Sequence, residues 1–309
     1  MKRRNFLKRA GLGAGMGLLG AIPVRAFSEN PLLTRLTILH TNDVHSRIEP
    51  FPPNSGENSG RGGFARRASM VNKYRERSDH LLLLDAGDIL QGTPYFNLFG
   101  GELEFKLMSK MGYDAATIGN HEFDAGIEGL VKQWPHIEFP FVSSNYDFSE
   151  TDLAGKVKEY IVLEKGPLKI GILGLGIELY GLVPEVFYGR TRYLDPVTVA
   201  NEVAGRLKSD LKCDYVICLS HLGFEYESNK VSDVVVARNS EDIDLIIGGH
   251  THLFMESAVV EKNRKNQPVL INQVGRSGTM LGKIELLFEE NRKGKCVNCS
   301  NVWVEELSP

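Results

Sequence analysis

Apolar residues in this chain fall into short runs, and five of the runs end abruptly in groups able to bind a metal ion. Leu36 to His40 runs into Thr41-Asn42-Asp43-Val44-His45, Leu81 to Leu84 into Asp85-Ala86-Gly87-Asp88, and Ala115 to Ile118 into Gly119-Asn120-His121-Glu122-Phe123-Asp124. Val216 to Ser220 runs into His221, and Leu245 to Ile247 into Gly248-Gly249-His250-Thr251-His252. Uninterrupted runs such as Leu81 to Leu84 are typical of strands covered on both faces. Polar groups where such strands end are costly unless something binds there.

Helical spacing fills much of the intervening chain. Gly62 to Arg77 predicts a helix with Phe64, Ala68, Val71 and Tyr74 or Arg75 on its covered side. Glu102 to Met111 is closed by Gly112, Gly126 to Trp134 is stopped by Pro135, and Pro196 opens a helix over Val197 to Lys212. A further helix is expected over 228–238. Val157 to Leu163 and Leu168 to Leu173 read as strands joined by Lys165-Gly166-Pro167, while 46–60 and 177–195 read as irregular loops beside the site. After His252 the runs Ala258 to Lys262, Val269 to Asn272 and Leu281 to Phe288 predict a second, more antiparallel sheet. With no internal repeat, one α/β domain of two packed sheets with outer helices is the economical architecture.

The first residues change where that domain begins. Lys2-Arg3-Arg4-Asn5-Phe6-Leu7-Lys8-Arg9, the Gly-rich run Ala10 to Ile22 and Val24-Arg25-Ala26 have the form of a twin-arginine export signal cleaved after Ala26. The apolar run is shorter than the roughly 20 residues a bilayer span needs, so no stable membrane insertion is expected after cleavage. The expected organisation is a signal over 1–26, a linker over 27–34, the α/β domain over 35–290 and a tail with a CxxC over 291–309. Removing 1–26 takes away six bases and no acid, moving the formal charge from −3 to −9. So acidic a surface, with no basic stripe, excludes nucleic acid as the expected partner. Four cysteines are too few to frame a domain of this size; Cys213 and Cys218 read as buried thiols, and Cys296-Val297-Asn298-Cys299 is a CxxC that suits a local disulfide, a redox pair or half a zinc knuckle, with a structural disulfide in an oxidising compartment the favoured reading.

The donors at the strand ends fit divalent metals. Asp43 and His45 are one residue apart, Asp88 has two carboxylate oxygens and can bridge two ions, and Asn120 adds a carbonyl oxygen without charge. With His221, His250 and His252 these make seven donors, enough for two four-ligand shells sharing one carboxylate. Zinc, manganese, iron and cobalt all suit such a mixture.

These residues resemble the calcineurin-like metallophosphoesterase superfamily. The strings Gly87-Asp88-Ile89-Leu90-Gln91-Gly92-Thr93, Asn120-His121-Glu122-Phe123-Asp124, His221-Leu222-Gly223, Gln273-Val274-Gly275 and Arg61-Gly62-Gly63-Phe64-Ala65-Arg66 are similar to its 5'-nucleotidase branch. The resemblance spans about residues 35–290 and implies a four-layer αββα sandwich of two mixed sheets with outer helices. It assigns Asp43, His45, Asp88 and His252 to one ion and Asp88, Asn120, His221 and His250 to the other. A metal-bridging hydroxide would attack phosphorus, with His121, oriented by Asp124, assisting the leaving group. Glu122 receives no role.

Members of that branch carry a second, nucleotide-binding domain, so the resemblance reads this chain as the catalytic domain, with a separate C-terminal domain protein as a candidate partner. The expected function is an exported, periplasmic or extracellular phosphomonoesterase acting on 5'-nucleotides. Alternatives are a 2',3'-cyclic nucleotide or other phosphodiesterase, a thiosulfate-oxidising relative, and a metal-bound module that binds a partner without catalysis.

Overall fold

The computed structural model describes residues 33–289 and 294–305. The expected signal, linker residues 27–32, and tail residues 291–293 and 306–309 lie outside the described residues. Among the described residues no helix is long and apolar enough to cross a membrane.

Each apolar run becomes a strand. In chain order the strands are β1 (Thr34–Thr41), β2 (Leu81–Asp85), β3 (Ala115–Thr117), β4 (Phe141–Val142), β5 (Tyr146–Asp147), β6 (Tyr160–Lys165), β7 (Leu168–Leu175) and β8 (Arg192–Tyr193). They continue with β9 (Tyr215–Ser220), β10 (Leu245–Gly248), β11 (Val259–Lys262), β12 (Pro268–Asn272), β13 (Met280–Phe288), β14 (Gly294–Asn298) and β15 (Val302–Trp303). The helices are α1 (Phe64–Arg75), α2 (Pro94–Phe99), α3 (Glu102–Met111), α4 (Gly126–Gln133), α5 (Glu185–Tyr188), α6 (Pro196–Ser209) and α7 (Asp233–Asn239).

One large sheet has the order β14-β13-β1-β2-β3-β4, with β15 also on β13; a second has the order β11-β12-β10-β9-β7-β6, and β5 and β8 form a separate antiparallel pair. Within the two large sheets β1, β2, β3 and β4 are mutually parallel, as are β7, β9, β10 and β12, and antiparallel pairing closes every edge except that of β4. The alternation of side chains along a strand explains the layering. Leu82 and Leu84 of β2 meet Leu36, Ile38, Ile172, Ile217, Leu219 and Ile247 between the sheets. Leu83 and Leu39 point the other way, onto Val71 of α1 and Phe105 and Met108 of α3. On the far side Leu173, Val216 and Ile246 pack on Ala200, Val203 and Leu207 of α6 and Val234 of α7. Each fully buried aliphatic side chain contributes about 1.5–3 kcal/mol, so both faces of each sheet must be covered, and the result is four layers, αββα.

The strands after His252 do not form a sheet of their own, contrary to the sequence expectation. β12 lies parallel to β10, pairing Ile246 with Ile271, whereas β13 crosses to the first sheet and runs antiparallel to β1, pairing Ile38 with Ile284. The apolar pattern is equally compatible with either sheet, because β13 finds its partner far away in the sequence. Helix α1 also buries a face the apolar pattern misses: Arg67 is fully buried, its guanidinium over the Phe64 ring at 4.1 Å. Cys296 and Cys299 are disulfide-bonded beside the inter-sheet core, and Cys213 and Cys218 are buried free thiols.

Candidate metal centre at the strand ends

The carboxyl ends of the parallel strands in both sheets open onto one rim, the place where α/β sheets collect ligands. Asp43 and His45 follow β1, Asp88 follows β2, Asn120 follows β3, His221 follows β9, and His250 and His252 follow β10. All seven residues expected as metal ligands meet there.

They form two linked groups. In the first, Asp43 Oδ1 lies 3.2 Å from His252 Nε2 and 3.8 Å from His45 Nε2, and the two imidazole nitrogens are 3.0 Å apart. In the second, His221 Nε2 is 3.0 Å from Asp88 Oδ2 and His250 Nδ1 is 2.9 Å from Asn120 Oδ1. The donor atoms of Asp43, His45 and His252 all lie within 4.8 Å of one another, as do those of Asp88, His221 and His250. His45, Asp88 and His121 form a third such cluster between them. His121 itself stands at the edge, its Nδ1 2.8 Å from Asp124 Oδ2.

The electrostatics of the rim fit a cation. Asp43 and Asp88 are buried, and their described ion pairs are all with histidines. His221 Nδ1 sits 2.6 Å from the Ala86 carbonyl oxygen, which fixes the ring proton on Nδ1 in the neutral imidazole. Nε2 then turns its lone pair toward the Asp88 carboxylate, and despite the 3.0 Å separation this buried nitrogen has no partner of hydrogen-bonding geometry. Two facing lone pairs require positive charge between them, a proton or a metal. Burial disfavours both charged forms, yet the mutual attraction outweighs it, raising the His221 pKa and lowering that of Asp88. Burial and the neighbouring His221 hold His250 down at about 4, and burial lowers His45, so both are neutral donors.

Backbone strain marks the same residues. Ten non-glycine residues among those described have positive φ, and five are Asp43 (50°), His45 (51°), Asp88 (55°), His250 (70°) and His252 (54°). Such conformations cost about 1–3 kcal/mol each and persist where surrounding structure enforces them, which is why they gather at functional sites. Close packing accounts for Gly119: a Cβ there would stand 2.3 Å from Asp88 Oδ1.

Residues 36–254 match the family described as calcineurin-like phosphoesterase. The chain belongs to this family. It is 33% identical over 288 residues to a snake venom 5'-nucleotidase of Gloydius brevicauda, covering 86% of this chain and 47% of that protein. It is 36% identical over 287 residues to a 5'-nucleotidase of Bos taurus, covering 85% and 48%. The crystal structure of a 5'-nucleotidase precursor from Thermus thermophilus superposes with a TM-score of 0.79 at 31% identity, covering 87% of this chain and 54% of that one. The chain thus spans about half the length of the curated relatives it matches, and its four layers are the metallophosphoesterase fold.

In this calcineurin-like phosphoesterase, residues without an assigned role in the sequence support the strand-end loops. Glu122, fully buried, accepts the peptide N–H groups of Gly119 (2.7 Å), Asp88 (2.9 Å) and Ile89 (2.7 Å). Asp88 Oδ1 in turn accepts the His121 N–H at 2.9 Å. Asp85 accepts Thr41 Oγ1 at 2.5 Å and Gly87 N–H at 2.9 Å, and burial pushes its pKa up to about 7. Asn42 reaches Asp43 Oδ2 at 2.6 Å and also donates to the Gly275 carbonyl at 2.8 Å. Glu122, Asp85 and Asn42 are visible in sequence as polar residues at strand ends, but their partners are mostly backbone atoms, which leave no residue-type signal.

Proposed function

We propose that this chain is a dinuclear metal-dependent phosphomonoesterase whose substrates are 5'-nucleotides, exported through the twin-arginine pathway to the periplasm or the extracellular space. Asp43, His45, Asp88 and His252 would hold one divalent ion, and Asp88, Asn120, His221 and His250 the other. Zinc, manganese, iron and cobalt all suit these donors. Bound there, the ions would supply Lewis-acid stabilisation of the phosphoryl oxygens and a nucleophile at neutral pH. The observation that carries this reading is the convergence of four imidazoles on the two buried carboxylates of Asp43 and Asp88, with His221 Nε2 3.0 Å from Asp88 Oδ2 and without a partner of hydrogen-bonding geometry.

The chain's own residues would handle the leaving group. Asp124 accepts from His121 Nδ1, which orients the ring and leaves its other nitrogen toward the rim. Burial alone would lower the His121 pKa, but the Asp124 hydrogen bond and the Asp88 charge outweigh it and raise the value. His121 is therefore suited to give a proton to the departing oxygen.

Nucleotide specificity is supported by the relatives' activities, and the half-length span supports a further nucleotide-binding domain, in the same or a separate polypeptide. The basic start at Lys2 to Arg9 and the Cys296–Cys299 disulfide both support an exported protein. The test is phosphate release from AMP, an aryl phosphate, 2',3'-cyclic AMP and an aryl diester after reconstitution with each metal. Turnover of the monoesters is expected. Preference for the diesters would replace the monoesterase reading, and no turnover with two ions bound would leave a binding module.

A further inference from the structure

Gln273 belongs to a string that the proposed chemistry does not use. It follows the last residue of β12, is fully buried, and lies beside the loop that leaves β10. Its Nε2 donates to the Gly249 carbonyl at 2.6 Å, and its Oε1 accepts from Leu253 N–H at 2.5 Å and Thr251 Oγ1 at 3.0 Å. These contacts bracket His250-Thr251-His252 on both sides. Within the bracket both histidines are held at positive φ, and their rings diverge, His250 toward Asn120 and His252 toward Asp43.

We propose that Gln273 is a positioning residue that fixes His250 relative to His252 and so couples the two halves of the metal centre. The inference rests on the dinuclear reading above. An amide is needed because a carbonyl oxygen and a peptide N–H must be satisfied by one side chain, which takes a donor and an acceptor together. The next residues extend the coupling to the first sheet: Val274 N–H donates to Asn42 Oδ1 at 2.9 Å, and the same Asn42 holds Asp43. The Gln273 side chain bonds Gly249, Thr251 and Leu253, none of them an expected metal ligand. Its effect is to let one strand end place a donor in each half-site, in the manner of outer hydrogen bonds that orient metal ligands.

The test is manganese binding by calorimetry to the metal-free full chain, wild type and Gln273→Glu, with melting temperatures measured with and without the ion. The substitution keeps the shape and sets a carboxylate oxygen against the Gly249 carbonyl. Wild type is expected to bind two ions; failure there sinks the dinuclear reading and not the role of Gln273 within it. The variant is expected to bind manganese at least tenfold more weakly, with a smaller metal-induced rise in melting temperature, and to regain turnover with excess manganese at an unchanged KM. Affinity within threefold of wild type, or an equal fall in melting temperature with and without metal, overturns the proposal. If the variant does not fold, Thr251→Val, which removes one arm of the bracket, carries the test: at least threefold weaker binding supports it and unchanged binding overturns it.

Discussion

Glu122 holds Asp88 by its backbone: Oε2 accepts the Asp88 N–H at 2.9 Å and the Gly119 N–H at 2.7 Å, while Oε1 accepts Ile89 N–H at 2.7 Å. One carboxylate thereby ties the loop after β2, which carries the shared ligand, to the loop after β3, which carries Asn120 and His121. Burial and the Asp88 charge raise the Glu122 pKa to about 7, and in the ionised form these bonds are charge-assisted and stronger than neutral ones.

Glu122→Gln therefore turns an NH₂ group toward peptide donors and breaks part of the clamp. We expect roughly a 10–100-fold loss of metal affinity or turnover, the usual cost of removing a residue that orients a ligand. Calorimetric metal binding beside steady-state assays checks it, and wild-type values for both would contradict the clamp.

His121→Asn should leave metal content intact and reduce turnover by roughly 10²–10⁴-fold, the usual contribution of a positioned proton donor. Because the acid form is the active one and the Asp124 hydrogen bond raises the His121 pKa, activity should fall as pH rises through that pKa. Asp124→Asn removes a raising interaction, so that limb should move to lower pH. A pH profile of kcat for wild type and Asp124→Asn decides; an unmoved limb would remove Asp124 from the proton relay.

His40 gives a stability prediction remote from the chemistry. It is fully buried, its Nε2 is 2.7 Å from Asn272 Nδ2, and burial lowers its pKa to about 3. The unfolded chain binds this proton below about pH 6.5 and the folded chain does not, so stability falls as pH drops through that window. Urea unfolding at pH 7 and about pH 5 should show a loss of up to about 2 kcal/mol from this group. His40→Asn should narrow the difference between the two conditions even while lowering stability at pH 7.

The strand-end donors were legible because each stands directly after an apolar run, where a buried chain has no structural use for Asp43, Asp88 or His221. Helices α1, α3, α4 and α6 were legible to within a few residues from their spacing and stops, whereas α7 begins at Asp233 instead of 228 and α2 and α5 form where the apolar spacing gave no helix. Sheet membership of β13 was not, since Ile284 and Ile271 look alike in sequence and differ only in whether Ile38 or Ile246 lies opposite. Nor were the supports: Glu122 and Gln273 act on peptide groups of other loops, and the burial of Arg67 interrupts an otherwise apolar helix face without any local sign.

The most direct measurement is phosphate release from AMP by chelator-stripped protein as manganese is added in known equivalents. Metal-free protein should be inactive with its circular dichroism retained, because the sheet cores do not depend on the ions. Activity should rise to a plateau at two equivalents in wild type, and Asp88→Asn should reach no comparable plateau. Saturation at one equivalent, or phosphate release independent of metal, would contradict a dinuclear centre sharing Asp88.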